Sequence, residues 1–574
     1  MKKLATIIAS ASMAATFVTI LPATAVAQET PASQPTQIVA VGGTNAVPTA
    51  TLSHLNVCAT GATRLSGGDR YATGRAALSL ESVTGGTVYV AQGRTFADAL
   101  PAGAAANADS SALVLVEHDS VPPPSERSLN EIAPDKIVIV GGPAVIDDGV
   151  EATLRDSYGD VVRIAGPNRY ETAIALSQFQ FPDISADKPG PDAVIIATGE
   201  GFIDALASAP LAGYKKAPLL LVPDNGVPPS LAREIQRLAP SEIFVIGGTA
   251  VVSDAVATEI AAALPTAELI RIAGQNRFDT AKKIASYLPP SPERVIAVTG
   301  FDFPDALVAG SVARNNPLVL IDRKGLNNTS ASTISTATGK PCKPITKISS
   351  FTTYHPAGQS RVINIHLIAD QADNAIVLPG DTFSLNGYVG NRTVEKGYVA
   401  AGAIIGGKLV CCDHPVNIGG GVSQFTTTLY NAIFYGGLED VTHRPHSIYF
   451  SRYPLGIEAT LAYTGIDLEF RNDTDWPVQI DASYTSRSVT VDLWGWNDQR
   501  TVDAQVIGSA TTADGGKVKI IRTITYQNGT KSVQSWWHTY NGVQSAPPEP
   551  TPPPPSPDPA PTPPPPPPPG GGPA

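Results

Sequence analysis

A glycine-rich turn in the last third of the chain holds the residues best suited to chemistry. Three glycines are followed by the apolar pattern VxxFxxxLxxxI, and Ser423 lies at their junction. Because the apolar residues recur every three or four positions, the pattern predicts a helix that starts at the turn and buries one face. The turn residues that would contact a ligand are Gly419, Gly420, Gly421 and Gln424.

Three interpretations of this turn stay open. The free N–H groups of a helix N-terminus can bind a carboxylate such as that of a stem peptide, and the missing Lys-Ser/Thr argues against a nucleotide phosphate loop. Alternatively, Ser423 is a nucleophile, with His446 as its base and Glu458 orienting the imidazole. In the third interpretation the glycines only allow the helix to pack closely against a sheet, and His446 and Glu458 are hydrogen-bonded structural residues.

Further upstream, a block of the form R-[IL]-[AS]-G-x-[DN]-R-[YF]-x-T occurs three times, beginning at Arg64, Arg163 and Arg271. Each copy is followed by a strand-like run that leads to the letters DAL. A second strand-like run, which ends in Gly-Gly, also occurs once for each copy. Continuous apolar runs that alternate with helix-like stretches predict Rossmann-like α/β units, with parallel sheets flanked by helices. No unit has G-x-G-x-x-G with a following acidic residue, so a dinucleotide site is not expected.

The phase of the repeat follows from its spacing. Gly42 to Arg64 and Gly141 to Arg163 both span 22 residues, which favours three consecutive units that begin near Gln37, Lys136 and Glu242. We therefore expect repeats at 37–135, 136–241 and 242–326, with the strand Ile38–Val41 beside the strand leading to Arg64 in the sheet of the first unit.

These blocks resemble the tandem cell wall binding repeats of Gram-positive surface proteins. The resemblance implies that three units together hold the protein non-covalently to an anionic polymer of the wall. Arginine suits phosphate and carboxylate groups because its guanidinium binds them through two hydrogen bonds. A buried Arg–Asp pair that holds each unit together is an equal alternative. The residues that match the repeat are Arg70, Arg169, Arg277, Asp98, Asp204 and Asp305.

A different module follows a Ser/Thr-rich stretch at 327–348, which is expected to be a linker. Short alternating apolar runs predict a mainly β (α+β) domain over 349–496, with a β-meander after the helix. A hairpin with a type I′ turn at Asn528–Gly529 is expected within a small extension at 497–545.

This module resembles the VanW family through the motifs PGDTFSLN, EKGY, GGGVSQFTTTLYNA, RPHS, GIEAT and DLEFRNDT. The resemblance implies a domain that acts on or binds peptidoglycan. Many relatives have cysteine at the position of Ser423, and serine here departs from that pattern. The alternatives are an acyl-transfer enzyme or hydrolase acting on stem peptides, and a surface adhesin without catalysis.

The ends of the chain indicate its compartment. Lys2 and Lys3 precede an apolar run and the small residues Ala25 and Ala27, which predicts a signal peptide at 1–27 and a secreted, cell-surface protein. Residues 546–574 are rich in proline and are expected to form a disordered, extended tail. A formal charge of −11 argues against a nucleic-acid partner, and no transmembrane segment is expected in the mature chain.

Four cysteines allow three disulfide pairings, and the sequence does not choose among them. They are Cys58, Cys342, Cys411 and Cys412. No second pair with zinc-like spacing follows the CCDH run, so neither a metal site nor a cofactor is expected.

Overall fold

The structure is a computed structural model that describes residues 36–185, 187–405, 408–410 and 417–543. The expected signal peptide, the expected proline-rich tail and Cys411–Cys412 lie outside these residues. None of the helices in these ranges has the length and apolar character that a membrane crossing requires.

The first region, up to Thr338, alternates parallel strands with helices. Its strands are β1 (Gln37–Val41), β2 (Ala62–Leu65), β3 (Thr87–Gln92), β4 (Ala112–Val116), β5 (Lys136–Val140), β6 (Val161–Ile164), β7 (Ala193–Thr198), β8 (Leu219–Val222), β9 (Glu242–Ile246), β10 (Glu268–Ile272), β11 (Arg294–Thr299) and β12 (Leu318–Ile321). Its helices are α1 (Thr49–Cys58), α2 (Arg70–Leu78), α3 (Ala99–Ala108), α4 (Pro123–Ile132), α5 (Asp148–Tyr158), α6 (Arg169–Gln180), α7 (Ala209–Lys215), α8 (Pro229–Leu238), α9 (Asp254–Ala263), α10 (Arg277–Ala285), α11 (Pro304–Ser311) and α12 (Asn328–Thr338).

These strands form three parallel sheets with the orders β12-β11-β1-β2, β4-β3-β5-β6 and β8-β7-β9-β10. The three Rossmann-like α/β layers predicted from the sequence are confirmed. The strand Ile38–Val41 does pair with β2, but its other neighbour is β11, near the end of the repeat region. The expected division at Lys136 and Glu242 is therefore wrong, because β5 and β9 each complete a sheet that β3 or β7 began.

The three sheets surround a shared core. Val39 and Val41 of β1 point into this core, whereas Ile38 and Ala40 point to the outer helices, as expected for a strand buried on both faces. The helices α3, α7 and α11 meet at its centre, where small residues allow close contact. A Cβ on Gly310 would lie 3.0 Å from that of Ala209. The repeats thus close into a ring with approximate threefold symmetry.

The stretch expected to be a linker is folded. Asn327 caps α12 by accepting a hydrogen bond from the amide of Ser330 (2.9 Å), and Ala331 and Ile334 are buried against the first sheet. A disulfide joins Cys342, just after this helix, to Cys58 at the end of α1, across 284 residues. The Ser/Thr-rich composition indicated a linker because it hid the two apolar residues that bury one face of the helix.

The second region is antiparallel, as the sequence predicts. Its strands are β13 (Thr346–Tyr354), β14 (Ile376–Val377), β15 (Thr382–Ser384), β16 (Ala403–Ile405), β17 (Lys408–Val410), β18 (Glu439–Thr442), β19 (Glu469–Arg471), β20 (Val478–Thr485), β21 (Ser488–Gly495), β22 (Thr501–Thr511), β23 (Gly515–Thr525) and β24 (Lys531–Asn541). Its helices are α13 (Ser360–Ala372), α14 (Leu385–Val389) and α15 (Val422–Tyr435). The expected meander is shorter than predicted, since 443–468 contains no strand.

The extension at its end is a three-stranded sheet with the order β22-β23-β24. The predicted hairpin is β23–β24, but its turn is not type I′. Gly529 has a φ of 81°, Asn528 has a negative φ, and Tyr526 closes the loop with Thr530 (2.9 Å). This is a type I turn followed by a left-handed glycine, which is the usual three-residue loop.

Candidate functional site

Each repeat block builds a loop whose residues have separate structural roles. The asparagine of the second and third copies, Asn168 and Asn276, caps the following helix by accepting two backbone hydrogen bonds. The threonine at the end of each block closes the loop. In the second copy, Thr172 accepts a hydrogen bond from the amide of Gly166 (3.0 Å). A Cβ on Gly166 would lie 2.5 Å from the backbone of Glu171, so only glycine fits there.

The first arginine of each block is structural. Arg163 donates to the carbonyl oxygens of Gly141 (2.9 Å) and Ile146 (2.8 Å), which fixes the turn after β5. Arg64 and Arg271 make the equivalent bonds in the other two copies. These bonds explain why an arginine recurs at this position independently of any ligand.

The second arginine of each block lies at an interface between two sheets. Arg70 donates to the carbonyl oxygen of Gly93 (2.7 Å), which follows β3 of the neighbouring sheet. Arg169 and Arg277 donate to Gly199 and Gly300, which follow β7 and β11. A guanidinium has five N–H donors, and each of these partly exposed side chains uses one of its nitrogens to bond a glycine carbonyl.

The aspartates lie across the same interfaces. Burial raises the pKa of Asp98, while Arg169 and a hydrogen bond with Thr172 oppose this rise. Burial and the nearby Asp302 raise the pKa of Asp305 to about 6, against the attraction of Arg70. Asp204 accepts a hydrogen bond from Thr280 (2.9 Å).

The predicted residues are therefore brought together between successive units. Among the described residues, no close ion pair joins Arg70, Arg169 or Arg277 to its aspartate. The buried Arg–Asp pair that was the alternative to ligand contact is not formed, although the charges attract one another.

Sequence reasoning missed the aromatic residues at the centre of the ring. Phe96, Phe202 and Phe303 each lie two residues before an interface aspartate, and their ring centroids are 5.4 to 6.2 Å apart. The sequence does contain a signal for them, because the phenylalanine recurs in FADAL, FIDAL and FPDAL. The aspartates are thus positioned by an aromatic contact on the threefold axis.

In the second region, the glycine turn starts α15 as predicted. Gly419 and Gly421 have φ values of 83° and 98°. A Cβ on Gly420 would lie 2.3 Å from the carbonyl oxygen of Ala401, and one on Gly421 would lie 2.7 Å from Cβ of Arg361. The turn therefore needs glycine for close approach of two neighbouring segments.

Two faces of α15 are held by hydrogen bonds at four-residue intervals. On one face, three side chains bond to the backbone of alternate residues in 457–461. The pairs are Ser423 with Leu461 (3.3 Å), Thr427 with Ala459 (3.0 Å) and Asn431 with Ile457 (2.8 Å). Four helical residues rise about 6 Å and two extended residues about 6.6 Å, so the two periods match.

The other face binds β13 in the same way. The contacts are Gln424 with the carbonyl of Tyr354 (2.9 Å), Thr428 with Thr353 (2.7 Å) and the carbonyl of Ala432 with Ser349 (2.7 Å). The run of threonines, which is poor helix interior by propensity, is fully buried here. Thr427 and Thr428 bond the neighbouring segments, and Thr426 donates to the carbonyl of Val422 in its own helix (3.1 Å).

His446 and Glu458 form the predicted pair. Nδ1 of His446 donates to Oε2 of Glu458 (2.7 Å), and the two residues are 6% and 0% exposed. The other carboxylate oxygen accepts a hydrogen bond from the hydroxyl of Tyr540 (2.6 Å). Nδ1 therefore carries the proton, which leaves Nε2 of His446 as the basic nitrogen.

Ser423 does not join this pair in the structure. Its hydroxyl accepts the amide of Leu461, and no hydrogen bond links it to His446 among the described residues. Sequence reasoning placed Glu458 beside His446 but missed Tyr540 and His538, because both belong to the extension and no local pattern connects them to RPHS.

The described residues contain no cluster of three or more His, Cys, Asp or Glu side chains that could hold a metal ion. Three arginine-lined interfaces in a ring of parallel sheets, joined to an antiparallel domain with a buried imidazole–carboxylate pair, define a repeat protein with an appended α+β domain.

Comparison with known families agrees with this description. Residues 64–151, 163–257 and 271–410 match the family described as Cell wall binding domain 2 (CWB2), and residues 360–494 match the family described as VanW like protein. The CWB2 segments cover more than half of the chain, so the chain belongs to the CWB2 family, and it carries a VanW-like domain. It is thus a cell-wall-associated protein. The two matches overlap at 360–410, which the structure assigns to the antiparallel region.

Three relatives from Bacillus subtilis (strain 168) share parts of the chain. The protein named Amidase enhancer is 28% identical over 335 residues, which are 58% of this chain and 43% of that protein. N-acetylmuramoyl-L-alanine amidase LytC is 25% identical over 339 residues, 58% of this chain and 63% of that protein. Uncharacterized protein YoaR is 36% identical over 143 residues, 25% of this chain and 46% of that protein. The chain spans less than two thirds of the length of each relative.

Proposed function

We propose that this is an exported cell-surface protein whose ring binds an anionic polymer of the Gram-positive wall. The observation that carries this proposal is the arginine at each of the three interfaces. Each guanidinium is anchored by one glycine carbonyl, forms no close ion pair with the aspartate opposite, and keeps donors for a phosphate or carboxylate. Three such positions on one ring would engage a repeating polymer together, which multiplies the affinity of each.

The test is sedimentation of the full chain with purified walls, before and after their anionic polymer is stripped. We expect binding to intact walls and release from stripped walls. Arg169→Ala should weaken binding about tenfold or more, because a hydrogen bond to a charged group contributes about 1.5–3 kcal/mol. Arg94→Ala is the matched control, since that arginine lies in the same layer but its side chain is 63% exposed and paired with Glu117. Equal binding to stripped and intact walls would contradict the polymer assignment.

For the VanW-like domain, we propose that it binds or acts on the peptidoglycan to which the ring holds it. The resemblance of the chain to a protein named as an amidase and to one named as an amidase enhancer supports a substrate in the wall. Each likeness extends over 58% of the chain and is not specific to the domain, so the domain itself needs a separate test.

Acyl transfer or hydrolysis on stem peptides is the second candidate, and the buried His446–Glu458 pair favours it. A fixed Nδ1–H and a basic Nε2 are what a general base requires. Ser423 as nucleophile would need to turn its hydroxyl proton toward Nε2 of His446, directly or through one water, while keeping the amide of Leu461 as a donor.

Turnover of wall fragments by the full chain separates these functions. We expect His446→Gln to abolish turnover if the domain is an enzyme. Loss in Ser423→Ala with activity in Ser423→Cys would identify the nucleophile, whereas full activity in Ser423→Ala would limit Ser423 to its contact with Leu461. Binding of polymer-free peptidoglycan fragments without turnover would indicate a binding domain, because the ring is expected to need the polymer, and neither binding nor turnover of these fragments would favour an adhesin.

A further inference from the structure

Two side chains of β24 reach the His446–Glu458 pair from outside the segment that matches the VanW family, which ends at residue 494. Tyr540 donates its hydroxyl to Oε1 of Glu458 (2.6 Å), and Nε2 of His538 donates to the backbone carbonyl of His446 (2.8 Å). Both members of the pair are therefore contacted by the extension.

These contacts follow from the strand geometry. His538 and Tyr540 are two residues apart on β24, so both point to the same face of the extension sheet. That face packs on the core of the second region, where Val518, Ile520 and Tyr540 are buried. The extension is thus part of the same core and not a separate projecting module.

Further bonds hold the segments that carry the pair. The amide of Gly456 donates to the hydroxyl of Tyr540 (2.9 Å), two residues before Glu458. The amide of Asn541 donates to the carbonyl of Ser447 (2.7 Å), next to His446. The end of β24 therefore fixes the backbone on both sides of the imidazole–carboxylate contact.

The chemistry of Glu458 gives Tyr540 a role beyond packing. The carboxylate is fully buried, and its two oxygens are bonded to His446 and Tyr540 respectively. A buried carboxylate draws its stabilisation from such donors. Without the tyrosine hydroxyl, Glu458 would keep only the hydrogen bond from His446, and the carboxylate would be held at one oxygen instead of two.

We propose that Tyr540 and His538 are positioning residues for the His446–Glu458 pair, and that the functional unit of the VanW-like domain extends to Asn541. The proposal rests on the proposed function of the domain, in which Nε2 of His446 meets the wall ligand. Tyr540 holds the Glu458 carboxylate in place for its contact with the imidazole, and His538 holds the backbone of His446.

The test is NMR of the full chain labelled at histidine Cε1, with the His446 signal assigned from His446→Gln. We expect Tyr540→Phe, which keeps the ring, to shift the His446 Cε1–H signal at a fixed pH, because the Glu458 carboxylate loses one of its two donors and then bonds Nδ1–H of His446 more strongly. Trp537→Phe is the matched control, because Trp537 neighbours His538 on β24 but is 58% exposed on the other face. An unchanged His446 Cε1–H signal in a folded Tyr540→Phe would overturn the role of Tyr540.

A conservative pair of variants tests His538 by a second signal, the downfield Nδ1 proton of His446. Glutamine can still donate to the carbonyl of His446, so His538→Gln should keep this signal, and His538→Leu should lose it through faster exchange with water. Retention of the signal in both variants would overturn the role of His538.

The proposed function and the positioning roles of Tyr540 and His538 are tested by different experiments. If the wild-type chain neither binds nor converts wall fragments, the proposed function is wrong, while the two NMR experiments still decide the positioning roles. If the chain is active, its turnover should fall in Tyr540→Phe and stay unchanged in Trp537→Phe.

Discussion

The ring and the VanW-like region hold their polar groups in different ways. In the ring, each interface arginine is anchored by one backbone carbonyl and left partly exposed, and the same arrangement occurs three times. In the VanW-like region, the polar residues of α15 and the His446–Glu458 pair are buried, and each is bonded to partners that occur once. Repetition builds a surface for a repeating ligand, whereas a single buried network fixes one geometry.

This difference predicts how the two regions respond to substitution. Loss of an interface arginine should change binding and leave stability nearly intact, because the side chain is partly exposed and makes one bond. Loss of a buried partner on α15 should change stability first, because it leaves polar atoms without hydrogen bonds.

The largest effect is expected when all three interface arginines are replaced. The triple variant Arg70→Ala, Arg169→Ala, Arg277→Ala should lose retention on walls altogether, since the sites act together on one polymer. Its unfolding midpoint should change little. The measurements are wall sedimentation and denaturant unfolding. If a folded triple variant still binds walls, the proposed binding role of the ring arginines is wrong.

The next effect concerns the disulfide between Cys58 and Cys342. Replacing both by serine should lower the free energy of unfolding by about 2–5 kcal/mol, because a bond across 284 residues restricts the unfolded chain. Denaturant unfolding of the double variant and of the wild type with and without reductant measures this. A reductant effect that persists in the double variant would show that this bond is not its cause.

The titration of His54 should change the free energy of unfolding with pH by about 3 kcal/mol at most. Its ring stacks on that of Trp476 in the VanW-like region, with the centroids 4.6 Å apart. Burial lowers the pKa of His54 from 6.5 to about 4, against a hydrogen bond to the carbonyl of Lys343. The folded state therefore binds fewer protons than the unfolded state between these pH values. Stability should fall as the pH drops from 6.5 toward 4 and change no further from this group below that.

The matched variant is His54→Gln, which keeps a donor for Lys343 and removes the titration. Its unfolding free energy should depend less on pH than that of the wild type over this window, as measured by denaturant unfolding at pH 7 and pH 4. The same slope in both proteins would show that other groups cause the dependence.

A smaller effect should come from the helix at the glycine turn. Thr427→Val removes a buried hydroxyl that bonds both the carbonyl and the amide of Ala459, at 3.0 and 3.2 Å. We expect destabilisation by about 1–3 kcal/mol, because the partner groups stay buried. Thr442→Val, at an exposed position of β18, is the control and should be close to neutral. Equal effects would remove the distinction between buried and exposed polar groups on which the comparison depends.

The smallest effect tests the equivalence of the repeats. Asn168 and Asn276 each accept two backbone hydrogen bonds at 3.0 Å at the start of α6 and α10. Asn168→Ala and Asn276→Ala should each cost about 1 kcal/mol, measured by thermal unfolding. Clearly unequal costs would show that the copies have diverged in energy although their geometry agrees.

Local patterns in the chain were enough for the α/β class of the repeats, the β23–β24 hairpin and the contact of His446 with Glu458. Apolar periodicity and turn residues act over a few positions, so they can be recognised in a single sequence. The turn type at Asn528–Gly529 was wrong because the same dipeptide also fits a three-residue loop. The prediction of a linker at 327–348 was wrong because the burial of Ala331 and Ile334 depends on tertiary contacts.

The sequence by itself determined the period of the repeats, and the tertiary structure decided their phase. A cyclic arrangement has no first unit, so equal spacing is compatible with any starting point, and only the pairing of β1 with β11 shows where the ring closes. The same holds for the second partner of Glu458. Tyr540 lies 82 residues away from it, and nothing short of the packed sheet brings that hydroxyl to the carboxylate. Long-range contacts depend on the whole core, which no local pattern records.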